Sequence, residues 1–489
     1  MDTTLLVPAV STPKKTTPSC EEEAVPPTEI LERIRSSRII TLALYASVTV
    51  LLYSDQCLVA PNLSAIAAEF DFSDEERDRR LGGNIALAFF GFAALSSLFV
   101  GWLADFVDRR KLFVLIVLMG KAGTLATVWV TTYSQLFWTR ALTGIALGGG
   151  LPLVFSILGD LVGTSRRTEA SGLIGISVGF GQGMGQVVAG LTGRATRLEW
   201  RFPFLLLSVP CVALAALVYI ATKDPPRGRL EQGLQAHFQA GGKYTEHPNQ
   251  KGLWLLAGCP TVVLALAQGP LGCIPWGVIW VYLNDFLHEE RGLTIDQASL
   301  IVTLFGVGAS AGQLLGAKIG QLAYNRHSTL QPLFMGATTI GGILPCMVLI
   351  QYDGHKFLWF GFFSVMSGML VSATGPNIRS VLMNVTLPST RGMAFGLFNF
   401  FDEFGKGLGP ALVSLIVVRK GREKAFTMVL LAWLGCGVIL ISMAFTVQRD
   451  EAKVQAYLKE YAKRHVASPG SNTPLNSSNL SVESLYSAI

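Results

Sequence analysis

Along most of the chain, apolar runs long enough to cross a bilayer alternate with short polar stretches. A helix crosses the hydrocarbon core with ~20 apolar residues, because there every backbone polar group must be satisfied within the segment itself. Runs of that kind fall at 39–65, 84–104, 111–131, 135–160, 171–193, 203–221, 254–284, 298–323, 331–351, 357–385, 392–418 and 425–447. The pattern predicts an all-α membrane protein with twelve transmembrane helices. It also predicts a division into a cytoplasmic N-terminal tail (1–38), a six-helix bundle (39–222), a cytoplasmic linker (223–253), a second six-helix bundle (254–448) and a cytoplasmic C-terminal tail (449–489).

Composition agrees with this division. Of 489 residues, 50% are hydrophobic and only 15% charged, too apolar for a soluble protein of this length. The net charge of +6 comes from basic residues that flank the spans, which suits a lipid surface and not nucleic acid. The N-terminal tail has no apolar core and does not read as a cleavable signal peptide, and the last 22 residues are Ser/Asn-rich and read as disordered. Cysteines at 20, 57, 211, 259, 273, 346 and 436 lack paired spacing and read as free thiols, with no metal site expected. The histidines fall outside the spans or at their rims, leaving no buried triad.

An internal repeat joins the two bundles. A shift of 224 residues lays Pro152 on Pro376, Ser156 on Ser380, Leu158 on Leu382, Ser165 on Ser389, Arg167 on Arg391, Ala170 on Ala394 and Gly172 on Gly396. The run GQGMG at 181–185 then meets GKGLG at 405–409, and GWLA at 101–104 has an echo in GQLA at 320–323. Parallel six-helix repeats with a substrate held between them near the midplane explain the pattern. The polar, Gly- and Pro-rich stretch from about 223 to 252 reads as their joint.

Twelve spans in two halves, with G-x-L-A-D and a basic cluster between the second and third, resemble the major facilitator superfamily from about 39 to 447. Within it, YSDQCLVAPNLSAI (53–66), RALTGIALGGGLPLVFSILGDLV (140–162) and SRRTEASG are most similar to the Spinster-like branch. The chain departs from that branch at Gln56, where an Arg usually follows the Asp, and at Gly149, where a Glu usually stands. The resemblance implies secondary transport by alternating access, with a lysophospholipid or sphingoid lipid as substrate. A small organic anion or sugar is the alternative, and a non-transporting receptor of the same fold remains a further one. No cofactor is expected apart from possible coupling to H+, and the partners expected are the lipid bilayer and the substrate, with the protein a monomer.

The stretch GWLADFVDRR (101–110) holds the candidate gating motif. Gly101 permits close helix approach, and Asp105 can accept from exposed N–H groups or pair with Arg109. The resemblance implies that this cluster stabilises the outward-facing state, although Phe106 and Asp108 stand where the family often has a basic residue and Gly. The other reading makes Arg109, Arg110 and Lys111 a topogenic anchor. Arg33, Arg35, Arg38, Arg166, Arg167 and Arg391 favour a cytoplasmic N-terminus, whereas Arg77, Arg79, Arg80, Arg419, Lys420, Arg422 and Lys424 oppose it.

Ionisable residues inside spans are costly and mark candidate sites. Counting depth along the helices brings Asp55 and Arg140 together in the outer half, either as a proton-coupling pair or as a static ion pair, with Lys121 a competing partner for Asp55. In the second bundle Arg379, Asp402, Glu403 and Lys406 are substrate-binding candidates. Arg379 suits an anionic head group, an Arg379–Asp402 bridge fits by depth, and an Asp402–Lys406 pair fits by i,i+4 spacing. The prolines in AQGPLGCIPWG (267–277) predict an interrupted seventh span, which adds Gln268 and Trp276 as candidates. Glycines 179, 181, 183 and 185, with 405, 407 and 409, read either as close packing or as a bendable gate.

No GxxxxGK[ST] motif occurs, and no nucleophile, base and oxyanion donors assemble, so the sequence predicts neither an ATPase nor an enzyme. Asp2-Thr3-Thr4-Leu5-Leu6 and Tyr486-Ser487-Ala488-Ile489 resemble endolysosomal sorting signals, so the expected location is the plasma membrane or an endolysosomal/vacuolar membrane. The sequon Asn476-Ser477-Ser478 lies in a tail expected to face the cytosol and to stay unmodified.

Overall fold

The computed structural model describes residues 37–59, 62–73, 76–192, 199–246, 256–352, 357–420 and 422–466. Both proposed sorting signals, the sequon, Cys20, Arg33 and Arg35 lie outside them. The first bundle consists of α1 (Arg38–Ser54), α2 (Ile85–Ala104), α3 (Arg109–Ala126), α4 (Tyr133–Leu161), α5 (Arg167–Thr192) and α6 (Phe202–Ala221). The second consists of α7 (Pro260–Glu289), α8 (Ile295–Arg326), α9 (Leu330–Gln351), α10 (Phe357–Asn384), α11 (Arg391–Lys420) and α12 (Glu423–Phe445). Among the described residues eleven helices are long and apolar enough to cross a membrane. The twelfth, α11, is 30 residues long but carries Asp402, Glu403 and Lys406 in mid-length.

Local chemistry sets several of the boundaries. Thr132 with Gln135 and Thr294 with Gln297 form reciprocal capping boxes that start α4 and α8. Asp108 starts α3 by accepting from the Lys111 N–H at 2.9 Å. Two expectations fail. The first span does not run to 65, because α1 gives way at Asp55 to a 3-10 turn, Asp55–Cys57, followed by a separate short helix, Leu63–Glu69. Conversely, α7 continues through Pro270 and Pro275 without interruption, packed closely on α11, where a Cβ on Gly405 would lie 2.7 Å from the Pro270 Cα.

The repeat is visible as packing. In the first bundle α5 lies against α1, where a Cβ on Gly181 or Gly185 would stand 2.3 or 2.2 Å from the carbonyl oxygens of Val50 and Ser54. In the second, α11 lies against α7 in the same way, with a Cβ on Gly409 2.3 Å from the Ile274 oxygen. The middle glycines, Gly183 and Gly407, face open space, so in each GxGxG the outer pair makes the close approach.

Contacts between the halves run along α2–α11, α4–α11, α5–α8 and α5–α10. They gather at the end that carries the basic loops. There Ser97 donates to the Gly396 oxygen at 3.1 Å, and the Gln321 side chain takes the Thr168 N–H at 2.9 Å. Phe155 stacks on Phe395 with ring centroids 5.2 Å apart. This end is sealed.

Chain beyond the bundles adds to that end. A further helix, α13 (Val447–Val466), packs on linker residues 223–246 in an apolar cluster of Leu234, Tyr244, Leu458 and Ala462, which Leu387 before α11 completes. Asp450 ties α13 to the start of α7 by accepting from the Thr261 N–H at 2.9 Å and its hydroxyl at 2.7 Å.

Candidate functional site: a sealed basic end and charges at mid-depth

At the sealed end, α2 meets α11 where neither has side chains. A Cβ on Gly101 would lie 2.6 Å from both the Gly392 oxygen and the Gly396 Cα. That approach brings Asp105, just past α2, onto the first turn of α11, where its carboxylate accepts the N–H groups of Gly392 and Met393 at 2.8 Å each. One half therefore caps a helix of the other, and the unpaired N–H groups and helix dipole both favour an acid there. Asp105 does not pair with Arg109. Its side-chain partner is Arg227 of the linker, at 3.4 Å.

Arg109 is fully buried and turned the other way. It holds Asp160 at the end of α4 at 2.6 Å and Asp224 of the linker at 2.9 Å, and donates to the Ser156 and Pro225 oxygens. Arg110 donates to the Thr222 oxygen at 2.8 Å and lies over the Tyr219 ring. Of the two roles the sequence allowed Asp105, accepting from exposed N–H groups or pairing with nearby Arg109, the structure takes the first. The chain turn between α2 and α3 separates Asp105 from Arg109, and the acids that Arg109 finds come from later in the chain.

The network continues across the interface. Asp160 also accepts from Arg391 at 3.1 Å and from the Gly228 N–H at 2.8 Å. Glu231 of the linker accepts from Arg167 at 2.5 Å and Arg391 at 2.8 Å. Burial by itself would raise the Glu231 pKa, but the two guanidiniums outweigh it and hold the carboxyl at about 2. For Asp105 burial is the larger effect and, against its hydrogen bonds, pushes the carboxyl up to about 7. Asp160, Asp224, Arg227 and Glu231 were not among the sequence candidates. Arg167 and Arg391 were visible as a repeated pair, but nothing in the linker's pattern marks Glu231.

In the first bundle, where α1 gives way to the 3-10 turn, Asp55 is buried and paired with Lys121 at 2.6 Å. Lys121 also donates to the Leu51 oxygen at 2.9 Å, and the Thr124 hydroxyl reaches the same Asp55 oxygen at 3.0 Å. The other oxygen, Oδ1, has no hydrogen-bond partner among the described residues. Of the two partners the sequence offered Asp55, the structure takes the competing one, Lys121, and not Arg140. Arg140 donates to Thr127 at 2.8 Å and lies 4.7 Å from the Phe204 ring centroid, while its Nε and Nη1 are unpartnered among the described residues. Depth counting cannot give helix rotation, and the rotation of α3 points Lys121 at α1.

In the second bundle Lys406 pairs with Glu403 at 2.7 Å, not with Asp402, and its side chain is about a third exposed. Glu403 is buried, with Oε2 unpartnered among the described residues. Asp402 faces α7 at Gly269. Arg379 makes no bridge to Asp402 and lies 5.1 Å over the Phe155 ring of the other half. Tyr53 of α1 lies within electrostatic reach of Arg379, Asp402, Glu403 and Lys406, so both halves contribute to this region. Gln268 is engaged within the bundle, donating to the Ala265 oxygen and accepting from Cys436. Trp276 packs among Trp280, Phe305 and Trp433. Neither of these two joins the charged group.

The profile of the Major Facilitator Superfamily matches residues 39–271 and 271–481, the two halves in turn. The chain belongs to the Major Facilitator Superfamily. It is an integral, multi-pass membrane protein of a transporter family, related to the Spinster branch. It is 24% identical over 398 residues to protein spinster homolog 3 of Mus musculus, covering 76% of this chain and 74% of that one. With the inner membrane metabolite transport protein YgcS of Escherichia coli it shares 25% over 379 residues, 72% of this chain and 78% of the relative. Among solved structures, the human organic anion transporter MFSD10 (TETRAN) superposes with TM-score 0.60 at 14% identity, over 82% of this chain and 99% of its own. A bacterial homolog of the human lysosomal transporter Spinster, in an inward-facing and unoccupied conformation, superposes with TM-score 0.54 at 18% identity, over 88% and 99%. These structural likenesses show the superfamily fold.

Proposed function

We propose that this chain is a secondary active transporter that works by alternating access and is driven by protons through Asp55. The observation that carries the reading is the buried Asp55–Lys121 pair, in which one carboxylate oxygen serves Lys121 and Thr124 while the other is unpartnered. A proton arriving at Asp55 would compete with Lys121 for the carboxylate and free the lysine, changing how α1 is tied to α3. Arg140 and Cys211 also face this pair, so the released charge has neighbours to meet.

The substrate reading is an amphipathic molecule with an anionic head group, a lysophospholipid or a related sphingoid lipid. Its support is Arg379, a cation on an aromatic face, and the partly exposed Lys406, both within electrostatic reach of Tyr53, together with the similarity to the Spinster homologs. A small organic anion is the second reading, because the same two cations would hold a carboxylate without any lipid tail. The sealed basic end would face the cytosol, as would the segments 1–38, 223–253 and 449–489, and the resting state would open outward.

Uptake into proteoliposomes tests the reading with a panel of lysolipids, sugars and organic anions, with and without a pH gradient, for the parent and Asp55→Asn. Gradient-driven uptake of a lysolipid that is lost in the variant supports it. Uptake of organic anions alone moves the substrate to the second reading. Flux that ignores both gradient and variant overturns proton coupling, and binding without any flux identifies a receptor.

A further inference from the structure

Arg167 and Arg391 stand 224 residues apart, the offset of the repeat. Their hydrogen bonds repeat too. Arg167 donates to the Gly159 oxygen at 2.8 Å, and Arg391 donates to the Met383 oxygen at 3.2 Å, the position equivalent to Gly159. Each also reaches across to the other half. Arg167 donates to the Asn384 side chain at 2.9 Å, and Arg391 to Asp160 at 3.1 Å, with Asn384 and Asp160 again equivalent. The two arginines thus exchange contacts about the axis that relates the bundles.

An axis of this kind brings two like charges together, and in a buried setting that repulsion is expensive unless an anion sits between them. Asp160 of the first bundle pairs with Arg391 and with Arg109, but among the described residues no carboxylate of either bundle pairs with both Arg167 and Arg391. The shared anion comes from the linker, as Glu231, whose Oε1 accepts from both guanidiniums. The linker residue is held in turn by α13: Gln455 donates to Glu231 Oε2 at 3.0 Å, and its oxygen takes the Gly233 N–H at 2.9 Å. Room for this is tight, because a Cβ on Gly233 would lie 2.8 Å from the Gln455 backbone oxygen and from Leu458 Cβ.

We propose that Glu231 is a positioning residue on the pseudo-twofold axis, a bolt lent by the linker and steadied by Gln455 of α13, which holds the basic end shut. Opening that end separates Arg167 from Arg391, and a single carboxylate cannot follow both. The bolt must leave one arginine or withdraw, so the linker and α13 set how readily this end opens. The bearing of this on transport rests on the alternating-access reading, but the bolt itself does not.

Hydrogen–deuterium exchange on the full-length protein in nanodiscs tests the proposal without substrate. Glu231→Gln keeps the shape and one acceptor oxygen but removes the negative charge shared by the two guanidiniums. Exchange in segments 101–107 and 391–396 should accelerate on the order of tenfold, the scale of losing a hydrogen bond between charged groups. Gln455→Ala should act in the same direction and less strongly, while Glu460→Gln, on the exposed side of α13, should match the parent. The start of α6 at the opposite end reports folding, and its protection should not change. If Glu231→Gln loses protection there as well, Gln455→Ala decides. Parent-like exchange at 101–107 and 391–396 in both variants, or in Gln455→Ala when Glu231→Gln does not fold, overturns the proposal. Since no flux is measured, this result and that of the uptake assay are independent.

Discussion

Asp105 caps Gly392 across the interface: a carboxylate at the end of α2 accepts an N–H in the first turn of α11, 287 residues away in sequence, at 2.8 Å. The contact joins the two halves, so separating α2 from α11 would break it. Its titration therefore reports on opening.

In the sealed state burial raises the Asp105 carboxyl from 3.8 to about 7. Once opened to water it should return toward the ordinary value. Between those limits the sealed state binds more protons, so acidification favours sealing, and the effect levels off below the ordinary carboxyl value. Glu231 has the opposite sign. Held at about 2, it supports sealing at all pH above its ordinary range and loses that support only as pH falls toward 2. Exchange in segment 391–396, corrected for intrinsic rates, should therefore slow from pH 8 to pH 5 in the parent and lose that dependence in Asp105→Asn.

Gly101→Val should prevent sealing without unfolding either bundle, since the clash is with Gly392 and Gly396 of the other half. Thiol labelling at an introduced Ser97→Cys, a position buried when sealed, should rise, and transport should fall. Gly183→Ala and Gly407→Ala, which face open space, should leave thermal stability unchanged, whereas Gly181→Leu should lower it.

Lys121→Met leaves Asp55 buried without its cation. Breaking one side of a buried pair costs about 3–5 kcal/mol, whereas replacing both sides is often neutral. The single variant should show a clearly lower unfolding midpoint in detergent, and Lys121→Met with Asp55→Leu should recover most of it. A midpoint equal to the parent in the single variant would mean that the pair is not formed.

Arg379→Gln should weaken binding of an anionic substrate by roughly 1.5–3 kcal/mol, the range for a charge-assisted hydrogen bond, and raise KM more than it lowers the maximal rate. Gln268→Ala, whose side chain is engaged within its own bundle, should leave KM as in the parent.

Apolar run length determines that a segment spans, so the twelve helices could be read from the sequence alone. The 224-residue repeat likewise foretold that α5 and α11 play equivalent parts, and Gly181, Gly185 and Gly409 do so against α1 and α7. Gly101 and Asp105 also announced a close approach and an acid in search of N–H groups. Which partners the charges take was not legible. Depth counting left Asp55 with Arg140 or Lys121, and the structure decides for Lys121, because rotation about the helix axis is set by packing and not by position along the chain. Arg109 passes over Asp105, four residues away, for Asp160 and Asp224. Glu231, in a stretch that reads as a polar joint, becomes the shared partner of two arginines only after two bundles have folded around it. Sequence decides which groups must avoid lipid, a local matter of transfer free energy. Tertiary structure decides where buried charges find their counter-charges, because that depends on which distant segments are brought within a few ångströms.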